Sequence, residues 1–352
     1  IDLELMARLL SCVPPHARLV LLGDKDQLAS VEAGAVWSQL CEGAAHSDSY
    51  THAQTNQAYS LTEQTAVLHV SRRFHADSAI GQWAKLINEG QQQSLKACWQ
   101  ALPEADALSN HASSEIQRWP DAWRERPQSQ LHLHVVMSLQ NGWANWLALL
   151  KPLLEAGNVC DNSLALQLLN SFSQFQVLCA LRQGAWGVQA LNERIAQSLG
   201  LVSSREKGFQ SPDAQGVWFV GRPVMVTRND YHLNLMNGDV GQCLPTAQGL
   251  RVAFPDGKGG IRWILPSRLE GVETVWAMTV HKSQGSEYDH VLMVLPDREA
   301  PVLTRELLYT GVTRAKSRLS WWVPNSAVLF SAVGQRVTRS GGLADGLFHR
   351  SK

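Results

Sequence analysis

The sequence alternates short apolar runs with longer stretches in which apolar residues recur every three or four positions. The short runs predict buried strands and the longer stretches predict amphipathic helices. Alternating strands and helices are typical of an α/β protein whose parallel sheet binds ligands beyond the carboxyl ends of its strands. The predicted strands are "LVLL" (19–22), "AVLHV", "LHLHVV", "FQVLCA", "TVWAMTV", "HVLMVLP" and "RLSWWVP"; the predicted helices include "IDLELMARLL", "AGAVWSQLCEG", "SAIGQWAKLINEG", "LQNGWANWLALLKPLLEAG", "WGVQALNERIAQSLG" and "RELLYTGVTRAK".

Two regions depart from this alternation. Residues 44–64 are polar and almost free of large aliphatic side chains, which predicts a mobile loop. Residues 217–270 consist of short alternating runs separated by turn residues, and the Pro-Asp-Gly that begins at Pro255 is a hairpin signal. The second region therefore predicts a small β unit inserted into the α/β pattern.

Composition narrows the choice of class without identifying a ligand. Lys plus Arg balances Asp plus Glu at 31 each, so any site for a polyanion has to be local. The 6 cysteines form no Cys-x-x-Cys pair, which argues against a zinc ribbon or a disulfide framework. Because the sequence shows neither a long apolar span nor a secretory signal, we expect a cytoplasmic protein.

The segment "GDKDQL" follows the first predicted strand and contains Gly23, Asp24 and Gln27. Asp24 could reach a magnesium ion through water, and Gln27 could orient an attacking water, as a glutamine does in some nucleotide triphosphatases. A turn with solvated polar residues is the alternative interpretation.

The segment "TVHKSQGSEYDH" concentrates hydrogen-bonding side chains around Gly285, between two predicted strands. Such a cluster suits phosphate oxygens, whether of a nucleotide or of a DNA backbone. A solvated loop is the alternative. The side chains concerned are those of Thr279, His281, Lys282, Ser283, Gln284 and Ser286.

In "ELLYTGVTRAKSRL" the helical pattern places Thr310 and Arg314 together at the edge of an apolar arc. An arginine held there could stabilise charge on a transferring phosphoryl group, or could form an ordinary ion pair between helices.

Two further sets of residues have mainly structural interpretations. His132 and His134 would share one face of a predicted strand, but no third ligand lies at metal-binding spacing. Trp119 and Trp123, and likewise Trp143 and Trp146, have helical spacings that favour core or partner contacts over base stacking.

Together these segments resemble the later motifs of superfamily 1 DNA helicases, specifically the RecD family, the α subunit of exodeoxyribonuclease V. The resemblance covers most of the chain and is weakest over residues 91–162. It implies a RecA-like parallel sheet as a second motor domain (65–235 and 273–335), with an SH3-like β domain inserted at 236–272. Residues 1–64 would be a remnant of the first motor domain and residues 336–352 a tail. The segments that carry the resemblance, in family order, are "LVLLGDKDQL", "SRRF", "FQVLCALRQGAWGVQALNERI", "RPVMVTRNDYHLNLMNGDVG", "AMTVHKSQGSEYDHVLMVLP" and "LLYTGVTRAKSRL".

The resemblance assigns roles residue by residue. Asp24 and Gln27 would belong to the motif that couples nucleotide state to DNA, and Arg73 and Arg314 would approach the γ-phosphate, with Gln284 close by. Nucleotide contacts would also involve Gly23, Gly285 and Glu287, and DNA contacts would involve Thr227, Asn229, Thr279, His281, Lys282 and Ser283.

By the same resemblance, the parent protein would be an ATP-dependent helicase that moves 5′ to 3′ on single-stranded DNA in double-strand break repair. It would use ATP and Mg²⁺ and would assemble with RecB and RecC, with nuclease activity belonging to RecB. The 352 residues contain no G-x-x-x-x-G-K-[ST] phosphate loop, and the chain begins inside a helical pattern. We therefore expect a C-terminal fragment that does not hydrolyse ATP alone. A helicase that acts without RecB and RecC, and a non-catalytic DNA-binding or assembly module, are the alternatives.

Overall fold

A computed structural model describes residues 3–28, 36–45, 49–51, 58–60, 62–68, 78–105, 114–120, 131–155, 157–202 and 218–337. Arg73 and Trp123 lie outside these ranges. Within them, the helices are α1 (Leu3–Cys12), α2 (Val36–Ala45), α3 (Ala79–Glu89), α4 (Gln92–Ala101), α5 (Leu133–Gly142), α6 (Ala144–Leu150), α7 (Asn162–Phe172), α8 (Val188–Ser198), α9 (Arg305–Val312) and α10 (Ser326–Gly334).

The main sheet is parallel and confirms the predicted α/β class. Its strands are β3 (Ile116–Arg118), β4 (Phe175–Cys179), β10 (Ala277–Thr279), β11 (Tyr288–Val294) and β12 (Ala315–Trp322). They lie in the order β10-β4-β11-β12-β3, and every neighbouring pair is parallel. Strand β11 is therefore central, with β4 on one side and β12 on the other.

Both faces of this sheet are covered. Along β11, Val291 and Met293 pack into a cluster with residues of α3, α9 and α10, whereas Leu292 and Val294 pack into a second cluster with residues of α5 to α8. Side chains of a strand alternate between the two faces of a sheet. The uninterrupted apolar run of β11 is thus the sequence of a strand buried on both faces.

The region predicted as a β unit forms a separate antiparallel sheet in the order β8-β7-β6-β5-β9. It packs on α6 and α7, where Trp146 donates to Gln242 and Trp263 donates to Asn162. Strand β5 lies before the boundary expected at residue 236, and the division into domains stays a prediction. The strands are β5 (Pro223–Val226), β6 (Val240–Thr246), β7 (Gly249–Pro255), β8 (Ile261–Ile264) and β9 (Val272–Thr274).

Two predicted strands are wrong where the structure describes them. Residues 19–22 and 66–68 have no helical or strand hydrogen bonding in the described ranges, and Leu22 and Leu68 are 91% and 92% exposed. An isolated extended segment leaves its backbone donors and acceptors to water, so an apolar run becomes a strand only beside another strand.

Two further predictions need correction. "LHLHVV" begins helix α5, because the ring nitrogen of His132 accepts the His134 amide at 3.3 Å and caps the helix, so the two histidines do not share a strand face. The polar region 44–64 contains an antiparallel pair, β1 (Ser49–Thr51) and β2 (Ala58–Ser60), where a loop is predicted.

The burial expected of one tryptophan pair is confirmed, since Trp143 and Trp146 are fully buried in the core. The 6 cysteines are free thiols in the structure. Among the described residues, no helix combines the length and apolar character needed to cross a membrane.

Candidate functional site

Arg314 lies in the turn between α9 and β12 and is 2% exposed. Its Nε donates to the Thr310 carbonyl at 3.1 Å and its Nη1 to the Ser286 carbonyl at 3.1 Å. Its Nη2 donates to Oε1 of Gln27 at 3.0 Å. A buried guanidinium needs acceptors around its planar fork, and here oxygens from three separate segments supply them.

The loop that carries Gln27 is ordered by Asp24. One carboxylate oxygen of Asp24 accepts the Asp26 amide at 3.0 Å, and the other accepts Nε2 of Gln27 at 2.8 Å. Holding the amide nitrogen of Gln27 in this way leaves its oxygen directed at Arg314. Asp24 itself is exposed, so its role in the structure is to orient Gln27.

Gly23 lets this loop approach helix α2. A Cβ at Gly23 would lie 2.8 Å from Nε1 of Trp37, closer than carbon and nitrogen can pack. Packing against Trp37 therefore explains a glycine at position 23, and its nucleotide contact stays a prediction.

Leu28 continues the contact through its backbone. Its amide donates to Oγ1 of Thr310 at 2.9 Å, and its carbonyl accepts Nε2 of Gln284 at 2.7 Å. We call Gln27, Leu28, Gln284, Thr310 and Arg314 the seam. The seam joins three segments that lie far apart in the sequence, and it contains three of the predicted site residues, Gln27, Gln284 and Arg314.

The turn after β10 contains the other residues of "TVHKSQGSE". Thr279 caps a short 3-10 helix (Val280–Ser283), and the buried hydroxyl of Ser283 donates to the Val280 carbonyl at 2.7 Å. His281 is half-buried. Gly285 has φ of +84°, a left-handed conformation that glycine adopts without strain.

The charged residues at this turn have partners. Lys282 forms an ion pair with Glu273 of β9, and Glu287 lies 3.9 Å from Lys316. The Glu287 contact is partly exposed and long, so its contribution to stability is small.

Two further residues expected to face DNA, Thr227 and Asn229, follow the end of β5, which lies between β6 and β9 in the antiparallel sheet. Thr227 is exposed, and its amide donates to the Gly271 carbonyl at 2.7 Å. Oδ1 of Asn229 accepts the Asn237 amide at 2.8 Å. Gly271 directly precedes β9, and Glu273 of β9 pairs with Lys282, so Thr227 and Lys282 both contact the segment that forms β9.

The resemblance implies two groups at this site, a nucleotide phosphate and Mg²⁺. Arg314, Gln27 and Gln284 carry guanidinium and amide donors of the kind that bind phosphate oxygens, and in the structure these donors bond within the protein. In the described ranges, no cluster of three or more His, Cys, Asp or Glu side chains could hold a metal ion, and a magnesium contact of Asp24 stays a prediction. Asp24 is engaged with Gln27 and the Asp26 amide.

Sequence reasoning missed several participants. Leu28 acts through backbone atoms, which no side-chain pattern reveals. Ser286 likewise contributes a carbonyl. Asp26 bonds to Asn88 at the end of α3 at 2.9 Å, and its position inside "GDKDQL" was the one available signal.

Two protein-family matches include residues of the seam. Residues 1–110 match the AAA domain, and residues 274–320 match the UvrD-like helicase C-terminal domain. The first match contains Gln27 and the second contains Gln284 and Arg314, so the seam joins segments from the two matches.

Among solved structures, a Pif1 helicase from Bacteroides in complex with ADP-AlF3 and ssDNA aligns at 18% identity. The alignment covers 54% of this chain and 49% of that chain, with a TM-score of 0.28. The family assignment therefore rests on the sequence relatives.

Curated relatives match almost the whole chain. The RecBCD enzyme subunit RecD of Haemophilus influenzae is 34% identical over 97% of this chain and 52% of that protein. The same subunit of Mycolicibacterium smegmatis is 36% identical over 97% of this chain and 51% of that protein. The ATP-dependent RecD2 DNA helicase of Deinococcus radiodurans is 28% identical over 97% of this chain and 37% of that protein. The chain thus spans about half the length of the RecD subunits that it matches, and over that span it is a member of the RecD family of helicases.

Proposed function

We propose that this chain supplies the second motor domain of an ATP-dependent DNA helicase subunit that moves 5′ to 3′ on single-stranded DNA. The seam is the observation that carries the proposal. It links a loop in the AAA match to a buried arginine in the helicase match through side-chain and backbone hydrogen bonds. Such a junction responds to any ligand that competes for the arginine.

The chemistry of the junction follows from its donors. ATP, when bound, would supply the free energy of phosphoryl transfer. Arg314 would stabilise the charge that develops on the transferring group, because its planar guanidinium matches phosphate oxygens. Oε1 of Gln27 accepts a hydrogen bond from Nη2 of Arg314. A phosphate oxygen that took this hydrogen bond would release Gln27 and change the position of its loop.

The same junction reaches the expected DNA-facing turn. Gln284 bonds to Leu28 on one side, and on the other it directly follows the 3-10 helix that carries His281 and Lys282. A displacement of Leu28 would therefore be transmitted to the turn. Lys282 would bind DNA phosphates after its ion pair with Glu273 breaks.

The full-length protein tests the proposal through Arg314→Ala. DNA-stimulated ATP hydrolysis should fall about 10³-fold, the lower end of the effect of arginines that contact the transferring phosphoryl group. Affinity for single-stranded DNA should change little. Steady-state ATPase and fluorescence anisotropy measure the two effects.

Arg318→Ala is the matched control, because Arg318 lies four residues further along the chain, at an exposed position of β12. It should change neither quantity. Equal loss of ATPase and DNA binding in Arg314→Ala would instead mark a structural arginine and would favour the DNA-binding or assembly module.

Assembly with RecB and RecC is part of the same proposal and is supported by the name of the relatives, RecBCD enzyme subunit RecD. The match to a RecD2 helicase supports the alternative, a helicase that works without those subunits. Co-purification of the tagged full-length protein from its own host separates the two, since RecB and RecC should appear in stoichiometric amounts in the first case.

A further inference from the structure

The loop of the seam makes one contact that lies outside it. Nδ2 of Asn88 donates to Oδ2 of Asp26 at 2.9 Å, and Oδ1 of Asp26 accepts Nζ of Lys25 at 2.7 Å. Both carboxylate oxygens of Asp26 are therefore engaged. Asn88 belongs to α3, an element that contributes nothing else to the predicted site.

Asn88 lies at a firmly held helix end. Helix α3 closes with Gly90 in the left-handed conformation (φ 70°), where the Gly90 amide donates to the Ile87 carbonyl at 3.1 Å. Nη1 of Arg305 donates to the Asn88 carbonyl at 3.3 Å, and Nε of Arg305 donates to the Val333 carbonyl at 3.0 Å. Arg305 thus ties the end of α3 to the end of α10.

Gly90 has a second role at this position. A Cβ there would collide with the Arg305 guanidinium, so the glycine admits the side chain that braces Asn88. The end of α3 is consequently braced by its own cap and by Arg305.

Asp26 is held far less firmly by its own segment. Residues 24–28 form a turn and irregular backbone and belong to no helix or strand. Of the two partners, Asn88 is the fixed one and Asp26 the positioned one. Asp26 directly precedes Gln27, so fixing Asp26 limits where Gln27 Oε1 and the Leu28 amide can lie.

We propose that Asn88 is a positioning residue: its amide holds Asp26 and thereby seats Gln27 and Leu28 against Arg314 and Thr310. The consequence for ATP hydrolysis rests on the proposed function, whereas the seating itself is a property of this chain. One hydrogen bond then sets the geometry of the two contacts that follow it in the sequence.

Hydrogen exchange on this chain tests the seating. Asn88→Asp places a carboxylate opposite the Asp26 carboxylate, so exchange in the peptic peptide that contains the Leu28 amide should become about tenfold faster, as loss of roughly one hydrogen bond implies. Asn88→Ala should act in the same direction without the repulsion. Peptides from β11 should exchange as before.

A double variant with the two side chains swapped tests whether the hydrogen bond itself is responsible. Asp26→Asn combined with Asn88→Asp restores one amide donor and one carboxylate acceptor with their positions swapped, so exchange at Leu28 should return toward the original rate. Asn170→Asp is the matched control, since Asn170 is an exposed asparagine near the end of α7. It should leave Leu28 unchanged.

In the full-length protein, Asn88→Asp should lower kcat for ATP with little change in single-stranded DNA affinity, and the swap should restore kcat. Unchanged exchange at Leu28 in both Asn88 variants, or failure of the swap to restore it, would overturn the positioning role. Exchange that responds and is rescued while kcat stays constant would support the seating and count against the proposed function.

Discussion

Residues 19–22 (Leu-Val-Leu-Leu) and residues 291–294 (Val-Leu-Met-Val) are runs of nearly equal apolar character with opposite structures. The second run is the centre of β11, where Leu292 is 0% exposed between β4 and β12. The first has no strand beside it in the described ranges, and Leu22 is 91% exposed. The difference shows that an apolar run favours burial but forms a buried strand only where neighbouring strands pair with it.

The largest test of this comparison is Leu292→Ala beside Leu22→Ala in the 352-residue chain. Removing the buried side chain of Leu292 should lower the free energy of unfolding by about 3 kcal/mol through lost burial and a cavity. The same change at exposed Leu22 should cost less than about 0.5 kcal/mol. Urea unfolding followed by circular dichroism measures both, and similar losses at the two positions would show that 19–22 is covered in solution.

The buried run also predicts a pH effect of intermediate size. Burial, and secondarily the positive charge of Arg318, lower the pKa of His290 on β11 from 6.5 to about 3. The unfolded chain therefore binds a proton that the folded chain does not. The neutral, buried His290 therefore contributes to the free energy of unfolding. This contribution is complete above the ordinary histidine pKa and is lost, at about 1.4 kcal/mol per pH unit, as the pH falls toward the pKa of the folded state.

Between pH 6.5 and about pH 5, the free energy of unfolding should fall by roughly 2 kcal/mol more in the original chain than in His290→Gln. Unfolding midpoints measured for both chains across that range give the difference. Parallel profiles would mean that His290 is accessible to protons in the folded state. His290 Nε2 lies 2.8 Å from Oγ of Ser320, a contact that glutamine can keep.

The smallest expected effect concerns the loop after the exposed run. Gly23→Ala places a Cβ against Trp37, and because both residues are near the surface the ring can shift at a cost of about 1 kcal/mol. Hydrogen exchange at the Leu28 amide should become two- to threefold faster, because the displaced loop weakens the hydrogen bond from Leu28 to Thr310 in the seam. An unchanged rate would show that the loop is seated independently of α2.

Patterns local in sequence predicted much of the fold. Strands β4, β11 and β12 and helices α3, α8 and α9 follow from apolar periodicity, because each is buried on the faces that its own residues define. Arg314 is buried, but α9 ends at Val312 and Arg314 lies in the turn that follows, so the predicted helical arc does not extend to it. "LHLHVV" shows the limit: six residues of alternating type fit a strand, but a histidine cap and the following turns make a helix.

The residues of the candidate site were predictable in type and less so in arrangement. Gln27, Gln284 and Arg314 stand out as polar residues beside apolar runs, and the structure brings them together. Leu28 and Ser286 contribute backbone atoms, and Asn88 lies on a helix without a motif. Arg73 lies outside the described residues and stays a prediction, as do the DNA contacts.

The sequence by itself determined the α/β class, the β unit between residues 217 and 270, and the chemical types of the site residues, since each depends on short-range periodicity or on side-chain chemistry. The tertiary structure decided which apolar runs became strands and how Gln27, Leu28 and Asn88 meet their partners. Those outcomes depend on hydrogen bonds between segments up to 287 positions apart, which local patterns do not encode.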